Sequence, residues 1–133
     1  MATRRTGRTG FTLIELLIVV VIIGILASVA VARFSKVRQR SQVSAVQSDL
    51  RNLAIAEERY HMANFQYTSD LGLLEFQSTP GVTITINSAD NTGWGAIGTH
   101  AADPAIQCGV YVGTAAAADG APATTPEVVA CTF

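Results

Sequence analysis

A single carboxylate, Glu15, stands at the front of a long apolar run, and residues 16–32 behind it carry no charge. On insertion scales a charge at the centre of a membrane helix costs roughly 2.5–3.5 kcal/mol, so its presence needs a reason. A position one turn from the helix start supplies a local one: the carboxylate reaches the headgroup region and complements the positive end of the helix dipole. Five residues earlier, Gly10 has no Cβ and reads either as a flexible residue of the basic N-terminal stretch or as a position where the backbone must fit closely into another protein's site. Cys108 and Cys131 fall in the last 26 residues, and neither has a second Cys or a His at zinc-site spacing. The simplest reading is a disulfide, with two unpaired core cysteines as the alternative. Such a bond closes a loop of about 24 residues, is worth roughly 3 kcal/mol, and implies an oxidising compartment. His61 and His100 are isolated, and no Ser/His/Asp set, paired carboxylates or phosphate loop can be assembled. The expectation is a protein with no catalytic site, metal site or cofactor.

The elements that carry these residues follow from the distribution of hydrophobicity. The 49% apolar content is concentrated near the N-terminus and not spread as in a globular core. Residues 11–32 amount to about 33 Å of helix, enough to cross a bilayer. The hundred or so residues beyond Arg33 are rich in Gly, Ala and Thr and suffice for one small head with a limited core. Net charge is near neutral, with 9 Lys+Arg against 10 Asp+Glu, which does not single out nucleic acid as a partner. Three of the cations, Arg4, Arg5 and Arg8, precede the apolar run, so removal of residues 1–10 leaves 6 − 10, a side-chain balance of −4.

A secretory signal would be cut after its apolar core, where Ala27-Ser28 and the alanines at 30 and 32 offer small residues. The competing cut lies before the core, between Gly10 and Phe11, and keeps the apolar segment on the mature chain. The surrounding residues read Gly10-Phe11-Thr12-Leu13-Ile14-Glu15-Leu16-Leu17-Ile18-Val19-Val20, continuing Ile22-Ile23-Gly24-Ile25-Leu26-Ala27. Over about 20 positions this resembles the N-terminal motif of the type IV pilin superfamily. The resemblance implies a cytoplasmic leader cut after Gly10 by a membrane prepilin peptidase that also methylates the new Phe11 amine. It implies, too, that Glu15 pairs with the Phe11 amine of a neighbouring subunit during assembly. Orientation in the membrane rests on this likeness, because the leader arginines are balanced by Arg33, Lys36, Arg38 and Arg40 on the far side. In the family a glycine such as Gly24 and a proline eight residues on bracket a segment that extends in the filament. Ala32 replaces that proline here, so a more continuous helix is expected.

Beyond Arg33 there is no Pro or Gly until Gly72, and Val43, Val46, Leu50, Leu53, Glu57 and Tyr60 recur at three- and four-residue steps. They form one face of a helix running from about residue 12 to 61 or 62, with Glu57 as the one break in the stripe. Arg38, Arg40, Arg51 and Arg59 face water. A loop over 64–81 is expected to tuck Phe65, Tyr67, Leu71, Leu73, Leu74 and Phe76 under the head. Residues 82–87 alternate as a half-buried strand, residues 90–93 turn, and 94–100, 108–112 and 127–132 supply further strands. Trp94, Tyr111 and Tyr60 are core candidates, while 114–126 reads as an exposed, mobile loop bounded by the cysteines.

The fold class is therefore α+β: a long N-terminal helix, half transmembrane and half amphipathic, packed against a small antiparallel sheet. Three segments are expected: leader 1–10, apolar membrane and filament-core helix 11–32, and periplasmic or extracellular head 33–133. The first functional reading is a structural subunit of a type IV pilus or a pseudopilin of a type II secretion system. Its implied partners are copies of itself, the prepilin peptidase, an inner-membrane assembly platform and the membrane. A second reading is a minor subunit that binds DNA or a surface at a filament tip, but the chain has no Lys or Arg after Arg59. A third is a signal-anchored monomer that never polymerises.

Overall fold

The computed structural model describes residues 10–132. Helix α1 spans Leu13–Asn64, and four strands follow: β1 Val82–Ala89, β2 Gly93–His100, β3 Asp103–Gly113 and β4 Ala130–Cys131. They form one antiparallel sheet in the order β1-β2-β3-β4. The result is the expected α+β architecture. Residues up to Val37 form one compact unit and those from Arg38 onwards another, with α1 contributing to both.

In the first unit α1 passes through Gly24 without a break. A helix is the conformation that satisfies every backbone N–H and C=O within an apolar segment. The one hydroxyl of residues 16–32 is satisfied locally too, since Ser28 Oγ donates to the carbonyl of Ile25 at 2.8 Å. Leu16, Leu17, Ile18, Val21, Ile22 and Ile25 are all more than half exposed. Successive residues turn by about 100°, so these positions leave apolar surface on all sides of the helix.

In the second unit the stripe takes its expected place: Val43, Val46, Leu50 and Leu53 are buried in one core with Val82, Ile84, Trp94, Ala96, Cys108 and Val110. Register explains the alternation. Trp94 lies opposite Val112, Ala96 opposite Val110 and Gly98 opposite Cys108, so these residues share the face turned to α1. Gly98 lets the helix approach closely, because a Cβ there would stand 2.7 Å from Val46 Cγ1. The Asp90 carboxylate closes the β1–β2 turn, accepting from the N–H groups of Thr92 at 2.6 Å and Gly93 at 2.9 Å and from the Thr92 hydroxyl. These donors hold its pKa below the ordinary carboxylate value.

Two buried acids on α1 pin the connection to β1. Asp49 accepts from Thr79 N at 2.6 Å and Thr79 Oγ1 at 2.9 Å. Glu57, with no exposed surface, accepts from Thr68 N at 3.1 Å through Oε2. Its other oxygen and Trp94 Nε1 are buried without a hydrogen-bond partner among the described residues. Burial is the main cause that pushes the Glu57 carboxyl up to about 7, against the Thr68 hydrogen bond, with Glu58 adding a smaller rise. Tyr67 stacks on His61 at 4.3 Å and donates to Glu58 Oε1 at 2.9 Å. Burial and that bond raise the Tyr67 phenol to about 12.

Several expectations need correction. In the 64–81 connection Leu74 is buried, and Tyr67, Leu71 and Phe76 pack on the core, but Phe65 is 81% exposed and Leu73 54%. Phe65 ends α1 in the left-handed region (φ 58), its N–H donating to His61 O, so its side chain serves helix termination and not packing. The third strand begins at Asp103 and the fourth shrinks to Ala130–Cys131, although Glu127 N still reaches Tyr111 O and Thr132 N reaches Gln107 O.

The segment 114–126 is not a free loop. Its Ala117–Gly120 turn lies on the sheet face opposite α1, where Gly120 and Ala123 are buried. Gly95 and Gly109 make the seat: a Cβ on Gly95 would come within 2.6 Å of Asp119 Cβ, and one on Gly109 would collide with the carbonyl oxygens of Gly120 and Ala121. Tyr111, on the same face, donates from its hydroxyl to Thr124 O at 3.0 Å, and Asn87, Ser88 and Gln107 add bonds to Asp119 and Ala121. Small residues build this second core by allowing backbone to lie on backbone.

Two measurements test these assignments, both read from Trp94, the single tryptophan. Gly109→Ala is expected to lower unfolding stability by about 1–3 kcal/mol through overpacking, seen as an earlier fluorescence transition in denaturant. The folded pKa of Glu57 lies above its unfolded value, so its protonated form is favoured by folding. Its stabilisation is complete below about pH 4.5 and is lost as pH rises through about 7, roughly 3 kcal/mol in all. In Glu57→Gln that decline between pH 5 and 8 should disappear.

Candidate functional site

The N-terminal residues precede α1 as non-helical chain: Gly10, Phe11 and Thr12 are exposed, with Phe11 at 81% and open space around Gly10. The Gly10–Phe11 peptide bond therefore lies outside the helical hydrogen-bond ladder. One residue later the helix begins with a reciprocal cap. Thr12 N donates to Glu15 Oε2 at 2.8 Å, Thr12 Oγ1 donates to the same oxygen at 2.8 Å, and Glu15 N donates back to Thr12 Oγ1 at 3.3 Å. This is a capping box, in which the side chains at the cap and three residues on satisfy each other's backbone donors.

The cap changes how Glu15 must be understood. Within one chain its carboxylate is turned back to the Phe11–Thr12 junction, where it complements the helix N-terminus. Both Thr12 bonds fall on Oε2. Glu15 is thus bonded to Thr12 and not to Phe11, while Gly10, Phe11 and Glu15 stand together in one short exposed segment. Thr12 is the cap residue at this end of the helix, beyond the site residues expected from the sequence. Its signal was in plain sight, since Thr-x-x-Glu ahead of an apolar run is the capping-box pattern.

The second pair of expected site residues lies in the head. Cys108 and Cys131 form a disulfide with an S–S distance of 2.04 Å, joining β3 to β4 directly across the ladder. Gln47 Nε2 of α1 donates to Cys131 Sγ at 3.3 Å. Among the described residues, no group of three or more His, Cys, Asp or Glu side chains gathers as a metal site requires.

Residues 5–31 match the family model of the prokaryotic N-terminal methylation motif, the cleavage and methylation signature of type IV prepilins. The match includes Gly10, Phe11, Thr12 and Glu15 and ends within the apolar half of α1. No curated protein matches the chain. The motif implies processing by a prepilin peptidase and assembly at a membrane, and it points to a structural protein. Helix α1 is long and apolar enough for membrane insertion.

The cap has a measurable signature. Thr12→Ala should leave the first turn frayed, with amide exchange at Leu13 to Leu16 accelerated by about fivefold in the detergent-solubilised chain, and Thr12→Ser should restore protection.

Proposed function

We propose that this chain is the precursor of a structural subunit of a type IV pilus-like filament. A prepilin peptidase cuts after Gly10 and the new Phe11 amine is methylated. The mature subunit is stored in the inner membrane through residues 11–32, with residues 33–133 as its periplasmic head. An assembly platform then moves it into a surface filament whose core is made of parallel apolar helices.

The observation that carries this reading is an apolar helix uncovered on all sides and joined to a methylation motif. Lipid covers such a surface in the membrane. Once the subunit leaves lipid, copies of the same helix are the available apolar cover. Glu15 then gains its role. The methylated Phe11 amine of a neighbour approaches the capped carboxylate, and in a lipid-poor core each charge neutralises the other and sets axial register. The Cys108–Cys131 bond, which braces the C-terminal segment of an exported head, favours a pilus subunit over a secretion pseudopilin.

Mass spectrometry of the mature protein should find an N-terminus at methylated Phe11. Glu15→Ala should be processed and inserted normally yet yield few or no filaments by electron microscopy. Normal filament length and number in that variant, or an exported soluble form lacking residues 11–32, would defeat the proposal.

A further inference from the structure

The charges of this chain are segregated along the sequence, and the acid seen at the basic stretch, Asp103, accepts from Gln39 Nε2 at 3.0 Å. Arg33, Lys36, Arg38 and Arg40 lie within eight residues of α1, and no acid occurs between Glu15 and Asp49. Phe34 and Val37 sit among them, 70% and 62% exposed. Among the described residues none of these four cations is engaged in an ion pair. From residue 60 onwards the balance reverses: Asp70, Glu75, Asp90, Asp103, Asp119 and Glu127 are present, with no Lys or Arg.

Within the head, a cleft of about 420 Å³ opens between α1 and the sheet. Its apolar lining is Ala54, Val110, Val112 and Val129. Its charged lining includes Glu58 and Glu127, both exposed, and Arg51 on α1. The acids are held in place: Glu58 accepts the Tyr67 hydroxyl, and the backbone N–H of Glu127 is bound to Tyr111 O. A partner that offers apolar side chains flanked only by cations finds its complement here. Arg51 repels it, and so biases it toward Glu58 and Glu127.

We infer that this cleft is the seat for a second copy of the chain, which inserts Phe34 and Val37 over the valines and places Lys36 and Arg38 against Glu58 and Glu127. The inference rests on the filament reading above and adds the partner surface that the head contributes. Burial of two apolar side chains supplies affinity, while the opposed charges fix orientation and disfavour other registers.

Cross-linking tests the contact directly, because both native cysteines are consumed in the disulfide. Cells making one copy with Lys36→Cys and another with Glu127→Cys should give a dimer with a short bismaleimide, in sheared filaments and in membranes, and neither copy alone should do so. Glu58→Lys with Glu127→Lys, or Lys36→Glu with Arg38→Glu, should each reduce filament yield about tenfold, and all four together should recover it to within about threefold. Trp94 fluorescence and cysteine oxidation confirm that each head is folded. Filaments without the dimer, or reversed charges with unchanged yield, would overturn the cleft contact while leaving the filament reading intact. A dimer without filaments would support the contact and defeat the filament. Should Lys36→Glu with Arg38→Glu lower yield without rescue, and also weaken association with phosphatidylglycerol vesicles relative to phosphatidylcholine, the cations serve lipid headgroups and the inference fails.

Discussion

An apolar helical surface without a protein cover has to be covered by something else, and this requirement governs the first half of the chain. Full burial of one large aliphatic side chain is worth about 1.5–3 kcal/mol. The run from Leu13 to Val31 presents thirteen such side chains at half exposure or more, so the total far exceeds the stability of a small domain. Water is thus not an acceptable environment for the segment. Lipid satisfies it, as does contact with like helices, and the difference between those two environments is small. A polar group in this setting must bring its own partner, as Ser28 does with Ile25 and Glu15 does with Thr12.

The head solves a different problem, that of building a core from few large residues. One face of the sheet uses the stripe of α1 around Trp94. The other face uses Gly95, Gly109, Gly120 and Ala123, where the absence of side chains lets a loop lie flat and lets carbonyl groups approach the strand. The disulfide and the Tyr111–Thr124 bond brace the two ends of that layer. Asp49 and Glu57 pin the long connection from α1 to β1 by accepting its backbone donors, and Glu57 does so at the expense of its own ionisation. A buried acid at such a position ties the packing of helix, connection and sheet to the surrounding proton concentration.

Charge gives the two halves of the chain complementary characters. The collar past the apolar run is basic, and the residues beyond Arg59 are acidic. Opposite charges placed in different parts of one chain can be matched between copies when they are not matched within one.

The sequence by itself determined the parts that depend on local pattern. A 17-residue uncharged run behind one acid, the three- and four-residue steps from Val43 to Glu57, and the alternation from Val82 to Ile86 each read out directly, because helix and strand periods are set by backbone geometry. The Thr12 and Glu15 cap is equally local, since Thr-x-x-Glu ahead of an apolar run is its pattern. Tertiary structure alone decided the rest. That Asp49 is buried, that Gly95 and Gly109 seat residues 114–126, and that Glu58 and Glu127 border one cleft all depend on residues tens of positions apart. A loop of Ala, Thr and Gly has the same composition whether it is free or packed. Only the strand glycines opposite it decide which, since their missing side chains leave the space into which it settles.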